Sequence, residues 1–282
     1  MKDKICLVTG GSSGVGKATA MGLARLGANV IITSRNEEKA NQVLKEIITK
    51  TGNANIHWMF SDLSTTASIQ KFVSSFAVRY DRLHILSNNA GLIQLGRKET
   101  SEGIEKTLAI DYLSHFVLSN LLLNLLQKGV PSRIITVSGN PGLIHFARIY
   151  WDDIQLTKNY NGIMAALQAA RARVIFSMEL ARRIKGTGIT SNTFHPGHVK
   201  TAMGENQVAV LKFLASLVQP FLSSECKTAV YLASAPELEN ISGKFFKQKK
   251  AVKFKFEAAT GKKLWEISEE LTGTRFEQEA SE

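Results

Sequence analysis

Ile5-Cys6-Leu7-Val8-Thr9-Gly10-Gly11-Ser12-Ser13-Gly14-Val15-Gly16 is the stretch that decides the fold. Its first five residues form a short, nearly continuous hydrophobic run, as expected of a strand buried on both faces. Glycines follow at 10, 11, 14 and 16, and residues 14–26 then read as an amphipathic helix. A glycine motif by itself is weak evidence; a place between a buried strand and a helix gives it meaning. Glycines let the backbone turn tightly and approach a pyrophosphate, whose charge then lies at the helix N-terminus. A glycine-rich turn with no ligand does not account for four glycines in seven positions. The segment predicts a dinucleotide site built from Gly10, Ser12, Ser13, Gly14, Val15 and Gly16.

Working outward, apolar runs at 29–34, 55–60, 83–88, 133–138 and 189–194 repeat the buried-strand pattern. Helical patterns lie between them at 37–50, 65–80, 103–128 and 161–185. Such β-α-β-α alternation predicts an α/β fold, a Rossmann-type doubly wound parallel sheet with right-handed crossovers. No repeat, low-complexity tract or linker divides residues 1–282, so a single domain is expected. Beyond Pro196 the pattern loosens, and 196–240 reads as a substrate-covering lid region, with helices at 203–218 and 223–233 and a last helix near 262–271. The apolar lid stretch 208–218 points to an apolar small-molecule substrate, although a helix packed on the core gives the same pattern.

Composition narrows the classes. With 44% hydrophobic and 21% charged residues, a disordered or fibrous chain is excluded. No stretch approaches the ~20 apolar residues of a membrane span; the segment 208–222 is interrupted by Lys212 and Pro220. The N-terminus carries an acid and then glycines where a signal peptide has its apolar run. Cys6 and Cys226 stand apart without metal-ligand spacing, so no metal site is expected and a reducing, cytoplasmic setting fits.

The net charge of +11 has a local source, eight lysines between 244 and 263 interleaved with Phe245, Phe246, Phe254 and Phe256. An edge strand at 252–256, lysines outward and phenylalanines inward, explains this pattern better than a specific nucleic-acid surface. Only weak, salt-sensitive adhesion to an anionic membrane is expected from the charge.

The end of the second strand bears on the choice of dinucleotide. An NAD site places an acid there to bond the ribose hydroxyls. Here the chain reads Thr33-Ser34-Arg35-Asn36, with no acid before Glu37. Arg35 suits a 2′-phosphate, and Lys17 adds positive charge, so NADP(H) is the expected cofactor.

Together with Asp62-Leu63, Asn88-Asn89-Ala90-Gly91, and His195-Pro196-Gly197 followed by Thr201, the glycine pattern resembles the short-chain dehydrogenase/reductase family. Arg133-Ile-Ile-Thr-Val-Ser, Glu179-Leu-Ala-Arg-Arg, Gly186-Thr-Gly-Ile-Thr and Leu264-Trp-Glu-Ile-Ser resemble its retinol-dehydrogenase-like branch. The resemblance implies that Asp62 and Leu63 hold the adenine, and that Asn89, Ala90 and Gly91 line the cofactor cleft. Pro196, Gly197 and Thr201 would border the nicotinamide. It further implies homo-oligomers joined through long helices.

The resemblance also implies an Asn-Ser-Tyr-Lys tetrad, in which lysine lowers the tyrosine pKa and serine polarises the substrate oxygen. Here none of the five tyrosines has a lysine four residues on. Anchoring on Tyr160-Asn161-Gly162 and Val174-Ile175-Phe176 puts Ala166 in the tyrosine slot and Ala170 in the lysine slot. Gly139 takes the serine slot and Asp111 the asparagine slot. Alanine has no proton to give, and glycine no hydroxyl. Reduction of an iminium carbon needs no proton on a nascent alkoxide, and an ionised Asp111 would favour such a cation. Three readings follow: an atypical NADPH-dependent reductase of an imine-like substrate, a non-redox cofactor-binding protein (sensor, partner module, or cyclase or isomerase template), or an altered form of an ordinary enzyme.

Other polar residues offer substitutes. His145, Tyr150, Asp152 and Asp153 lie in the loop after the fifth strand, though loop polar groups are usually just solvated. His115, four residues after Asp111, could pair with it on one helical face. His198 has no evident place in the family pattern. Arg171 and Arg173 are unusual on a packed helix; they either bind an anion or partner, or face water.

Overall fold

The computed structural model describes residues 1–197 and 225–276. Eight strands, β1 (Ile5–Val8), β2 (Asn29–Ser34), β3 (Ile56–Phe60), β4 (Ile85–Asn88), β5 (Ser132–Val137), β6 (Ile189–His195), β7 (Phe245–Lys247) and β8 (Lys250–Val252), form one sheet in the order β3-β2-β1-β4-β5-β6-β7-β8. All neighbours are parallel except β7 and β8. The order reverses beside β1, opening a crevice at the carboxyl ends of β1 and β4, where doubly wound sheets take their ligands.

Two apolar cores sandwich the sheet. α1 (Gly14–Arg25), α2 (Glu37–Thr51) and the helix Lys227–Ser234 pack on one face; α3 (Thr66–Arg79), the helical run 106–128, α8 (Gly162–Arg183) and the helix Ala258–Thr272 cover the other. Trp265 anchors the second core, its ring 4.9 Å from Phe116 and 5.8 Å from Phe176, with the Arg183 guanidinium 4.1 Å above it. No helix among the described residues is long and apolar enough to cross a membrane.

Helix starts are set locally. The Asn36 side chain accepts from Lys39 N at the head of α2, and Thr65 from Ser68 N at α3. At α8, Asn161 Oδ1 accepts from Ile163 and Met164 N at 3.0 and 3.1 Å. Asn161→Ala should lower unfolding free energy by about 1 kcal/mol in urea titrations; no change would mean that this cap contributes nothing.

Several expectations are corrected. The helix expected over 103–128 begins at Lys106, after a turn with Gly103 at φ 73°. It runs as α4 (Lys106–Leu108), a π-helical turn Ala109–Leu113, and α5 (Ser114–Leu121), then restarts as α6 (Leu123–Lys128). A short helix, α7 (Pro141–Phe146), occupies the loop after β5, with Asn140 capping Gly142 N and proline at its first turn.

The strand expected at 252–256 lies earlier, at Lys250–Val252, turned back on β7 through Gln248 at φ 57°. The phenylalanines nonetheless go inward: Phe245, Phe246 and Phe254 are buried and all eight lysines exposed. The last helix starts at Ala258 rather than near Lys262. The lid helix expected at 203–218 and most of the helix expected from 223 fall as follows: the first lies outside the described residues, and the second is seen from Lys227 to Ser234.

Candidate active site

The turn after β1 is tightly constrained. Gly10 (φ +61°) and Gly14 (φ +50°) hold left-handed backbone that favours glycine. A methyl on Gly10 would come 3.0 Å from Ala90 Cα, and one on Gly16 2.4 Å from Gly10 O. Gly10 N donates to Thr33 Oγ1 (3.3 Å) and Gly11 N to Thr33 O (3.2 Å), tying the turn to β2. Thr9 Oγ1 accepts from Asn89 and Ala90 N at 2.9 and 3.1 Å, locking the turn to the end of β4.

The head of α1 differs from those of α2, α3 and α8. Ser13 is extended, its side chain caps nothing, and no acid stands in the first turn. The leading N–H groups of a long helix are thus left without a side-chain acceptor beside a glycine turn, which fits a phosphate. A pyrophosphate-bearing cofactor matches this cradle, with Gly10, Ser12, Ser13, Gly14, Val15 and Gly16 around it.

Arg35 follows β2, exposed and free of hydrogen bonds or ion pairs with the described residues. Its turn is fixed by Ser34, whose hydroxyl accepts from Asn36 N (3.1 Å). Lys17 is corrected: its ammonium pairs with Glu46 of α2 and is not free to serve a ligand. Lys17 and Lys50 together hold the Glu46 carboxyl below the usual carboxylate range. Past β3, Asp62 Oδ1 accepts from Ser64 N (3.1 Å), Leu63 is buried, and the buried Ser61 hydroxyl has no partner.

On the other side of the crevice, the structure brings the serine and lysine slots together, while Asp111 lies against the Gly91–Leu92 backbone. Ser138 Oγ donates to Ala170 O (2.8 Å), and a methyl on Gly139 would lie 3.9 Å from Ala170 Cβ. Ala166 is half-buried one turn earlier on α8. Asp111, only 4% exposed, sits in the π-helical turn, a feature common at functional sites. Its Oδ1 accepts from Leu92 N (2.8 Å), and a methyl on Gly91 would meet Oδ2 at 3.4 Å.

Burial pushes the Asp111 carboxyl up to about 7 against the opposing pull of Arg173 and the Leu92 N–H. Near neutral pH the group is therefore divided between its two forms. His115 does not bond Asp111. Its Nε2 lies 2.9 Å from Ala90 O, its Nδ1 is buried without a partner, and burial together with Arg173 drives its pKa down to about 3. It is a neutral, structural histidine under the Ala90–Leu92 backbone.

The loop candidates are occupied structurally. Asp153 accepts from Thr157 and Lys158 N in its own turn, Tyr150 OH reaches Met164 Sδ (3.6 Å), and His145 packs edge-on against Phe146 and Phe254. Asp152 is exposed, with no bond to the cleft. Arg171 donates to Ile144 and His145 O at 2.9 and 3.0 Å, closing the end of α7. Tyr112 bonds Ser268 (2.6 Å), and Tyr160 donates to Gln94 O (2.8 Å). Pro196 O takes the Cys226 thiol, and Gly197 has φ +72°; Thr201 and His198 lie outside the described residues. Sequence reasoning gave no role to Thr9, Thr33 or Ser61; of the two readings it offered for Arg173, facing water is corrected, since the residue is buried.

A reversed strand order, a glycine turn at that reversal and a helix head open to phosphate define an NAD(P)-type dinucleotide-binding domain. The family profile described as short chain dehydrogenase matches residues 4–150. Bovine retinol dehydrogenase 12 is 37% identical over 280 residues, covering 97% of this chain and 88% of that one. Human polyprenol dehydrogenase is 33% identical over 284 residues, covering 96% and 86%. Among solved structures, an uncharacterized protein from Mycobacterium paratuberculosis superposes with a TM-score of 0.76 at 25% identity, covering 98% and 96%. A short chain dehydrogenase from Burkholderia cenocepacia, in complex with NADP, gives 0.67 at 26% identity, covering 87% and 96%. The chain belongs to the short-chain dehydrogenase/reductase family, in its retinol-dehydrogenase-like branch.

Proposed function

We propose that this chain is an NADP(H)-dependent reductase that works without a tyrosine–lysine proton relay and reduces an activated, imine-like, apolar substrate. One observation carries the reading: Ser138 and Gly139 lie against Ala170 of α8, where neither a tyrosine nor a lysine stands, and the hydroxyls of Tyr112, Tyr150 and Tyr160 are bonded to Ser268, Met164, and Gln94 and Glu105. NADPH, when bound, supplies a hydride. Gly10–Gly16 hold its pyrophosphate and Arg35 its 2′-phosphate; NADP in the Burkholderia relative supports that preference.

A ketone would need a proton at its oxygen, and Ser138, the nearest hydroxyl on β5's end, is already donated to Ala170 O. An iminium carbon needs none, since its nitrogen arrives charged and leaves neutral. The Asp111 carboxylate, in a low-dielectric setting, favours that cation above pH ~7.

The spent Ser138 hydroxyl also favours a second reading, a cofactor-binding protein without redox turnover. Following NADPH absorbance against a panel of cyclic imines and matched ketones separates them. Consumption with imines alone is expected; no consumption with any acceptor defeats the reductase reading and leaves the second. Arg35→Ala should weaken NADPH binding roughly tenfold, about one charged hydrogen bond, and barely touch NADH. Equal losses for both cofactors would remove the 2′-phosphate assignment.

A further inference from the structure

Arg173 stands three residues after Ala170 and seven after Ala166, so all three lie on one face of α8. Helical side chains lean toward the helix N-terminus, which brings a long side chain at 173 back over the turn that carries Ala170. At that turn residue 170 carries only a methyl, and the Ile144 side chain packs over Gly139.

The residue is 8% exposed, yet its Nε is buried without a partner and no hydrogen bond joins it to any described residue. The other arginines of α8 are all engaged: Arg171 with the carbonyls of α7, Arg182 and Arg183 with Glu179. Arg133, equally buried, donates to Leu232 O at 2.9 Å. An arginine cannot discharge itself by losing a proton, and a buried ion with unmet donors is costly. A purely structural arginine would have its donors met from within, as those four do.

Arg173 also acts at a distance on its neighbours. It offsets the burial of Asp111 and disfavours a proton on His115, while Glu105 and Tyr160 complete the ionisable groups around Asp111.

We propose that Arg173 is the working cation of this cleft: its unmet N–H donors are taken up by hydroxyl and carbonyl oxygens of the nicotinamide-ribose half of the cofactor, and its charge balances Asp111. Functionally it stands in, from one turn further along the helix, for a cation that position 170 does not supply. The proposal rests on the NADP(H) reading above.

Calorimetric titration of the full chain with NADP⁺ and with adenosine 2′,5′-bisphosphate, which lacks the nicotinamide ribose, tests it. Arg173→Met should weaken NADP⁺ roughly tenfold, the equivalent of one charged hydrogen bond, and leave the bisphosphate within about twofold. Arg173→Lys should recover most of the loss. Parallel losses for both ligands would make Arg173 structural, and no loss for either would make it idle; both overturn the proposal. Should Arg173→Met fail to fold, Asp111→Asn/Arg173→Met removes both charges and permits the same comparison. If the bisphosphate does not bind even the unaltered chain, the NADP(H) reading itself falls, and that failure is distinct.

Discussion

Gly16→Ala is expected to weaken NADPH binding more than a hundredfold. On helix propensity alone the change would help, since alanine is favoured over glycine in a helix by ~1 kcal/mol. Here the added methyl would lie 2.4 Å from Gly10 O, 2.7 Å from Gly10 C and 2.9 Å from Thr9 O. All three are backbone atoms and cannot rotate away. Gly10 cannot retreat either, with Ala90 Cα pressed against its other side and its N–H bonded to Thr33 Oγ1.

Either α1 or the turn must move, and the N–H groups that converge on the phosphates lose their alignment. Losing two charged hydrogen bonds, at about 1.5–3 kcal/mol each, corresponds to more than a hundredfold in Kd. Gly96→Ala, where nothing lies within 4 Å, is the matched control and should bind normally. A folded Gly16→Ala protein with unchanged affinity would mean that the phosphates are not held at this turn.

The parts of this site legible in the sequence are those fixed by short-range rules. Buried strands read as continuous apolar runs, and Gly10, Gly14 and Gly16 mark a turn whose conformation only glycine tolerates. What could not be read depends on partners distant in sequence. The ion pair that occupies Lys17 joins residues 29 apart, so the lysine looked free. The π-helical turn at 109–113 leaves no trace in a sequence with ordinary helical periodicity. It accompanies contacts made across the fold, Asp111 with Leu92 N and His115 with Ala90 O.

The alternation of lysine and phenylalanine at 252–256 did identify the inward residues. It misplaced the strand, because Phe254 is buried by packing against Phe245 and under Arg171 rather than by sheet register. Arg173 was conspicuous in sequence, yet its meaning lies in hydrogen bonds it does not make, which only coordinates reveal.

Asp111→Asn should change how stability depends on pH. In the folded chain the Asp111 pKa is raised to about 7, so between its unfolded value of 3.8 and 7 the folded state holds the extra proton. That contribution is present at low pH and is lost as pH rises. His115 works the other way: its folded pKa is lowered from 6.5 to about 3, so the unfolded state holds the extra proton and stability grows with pH across that range. Over roughly pH 4–6.5 the two slopes oppose each other and nearly cancel, each being at most about 1.4 kcal/mol per pH unit.

Asparagine keeps an acceptor for Leu92 N but cannot titrate, which leaves the His115 slope unopposed. Relative to the unaltered chain, the variant's unfolding free energy should therefore climb by about 2–3 kcal/mol between roughly pH 4.5 and 6.5. Because Asp111 is mostly protonated across this window, the substitution removes little countercharge from Arg173 there. Urea titrations of both proteins across that window measure the difference directly, and other titrating groups drop out of it. Parallel curves would show that Asp111 keeps its negative charge throughout the fold's working range, with Arg173 then outweighing burial at this site.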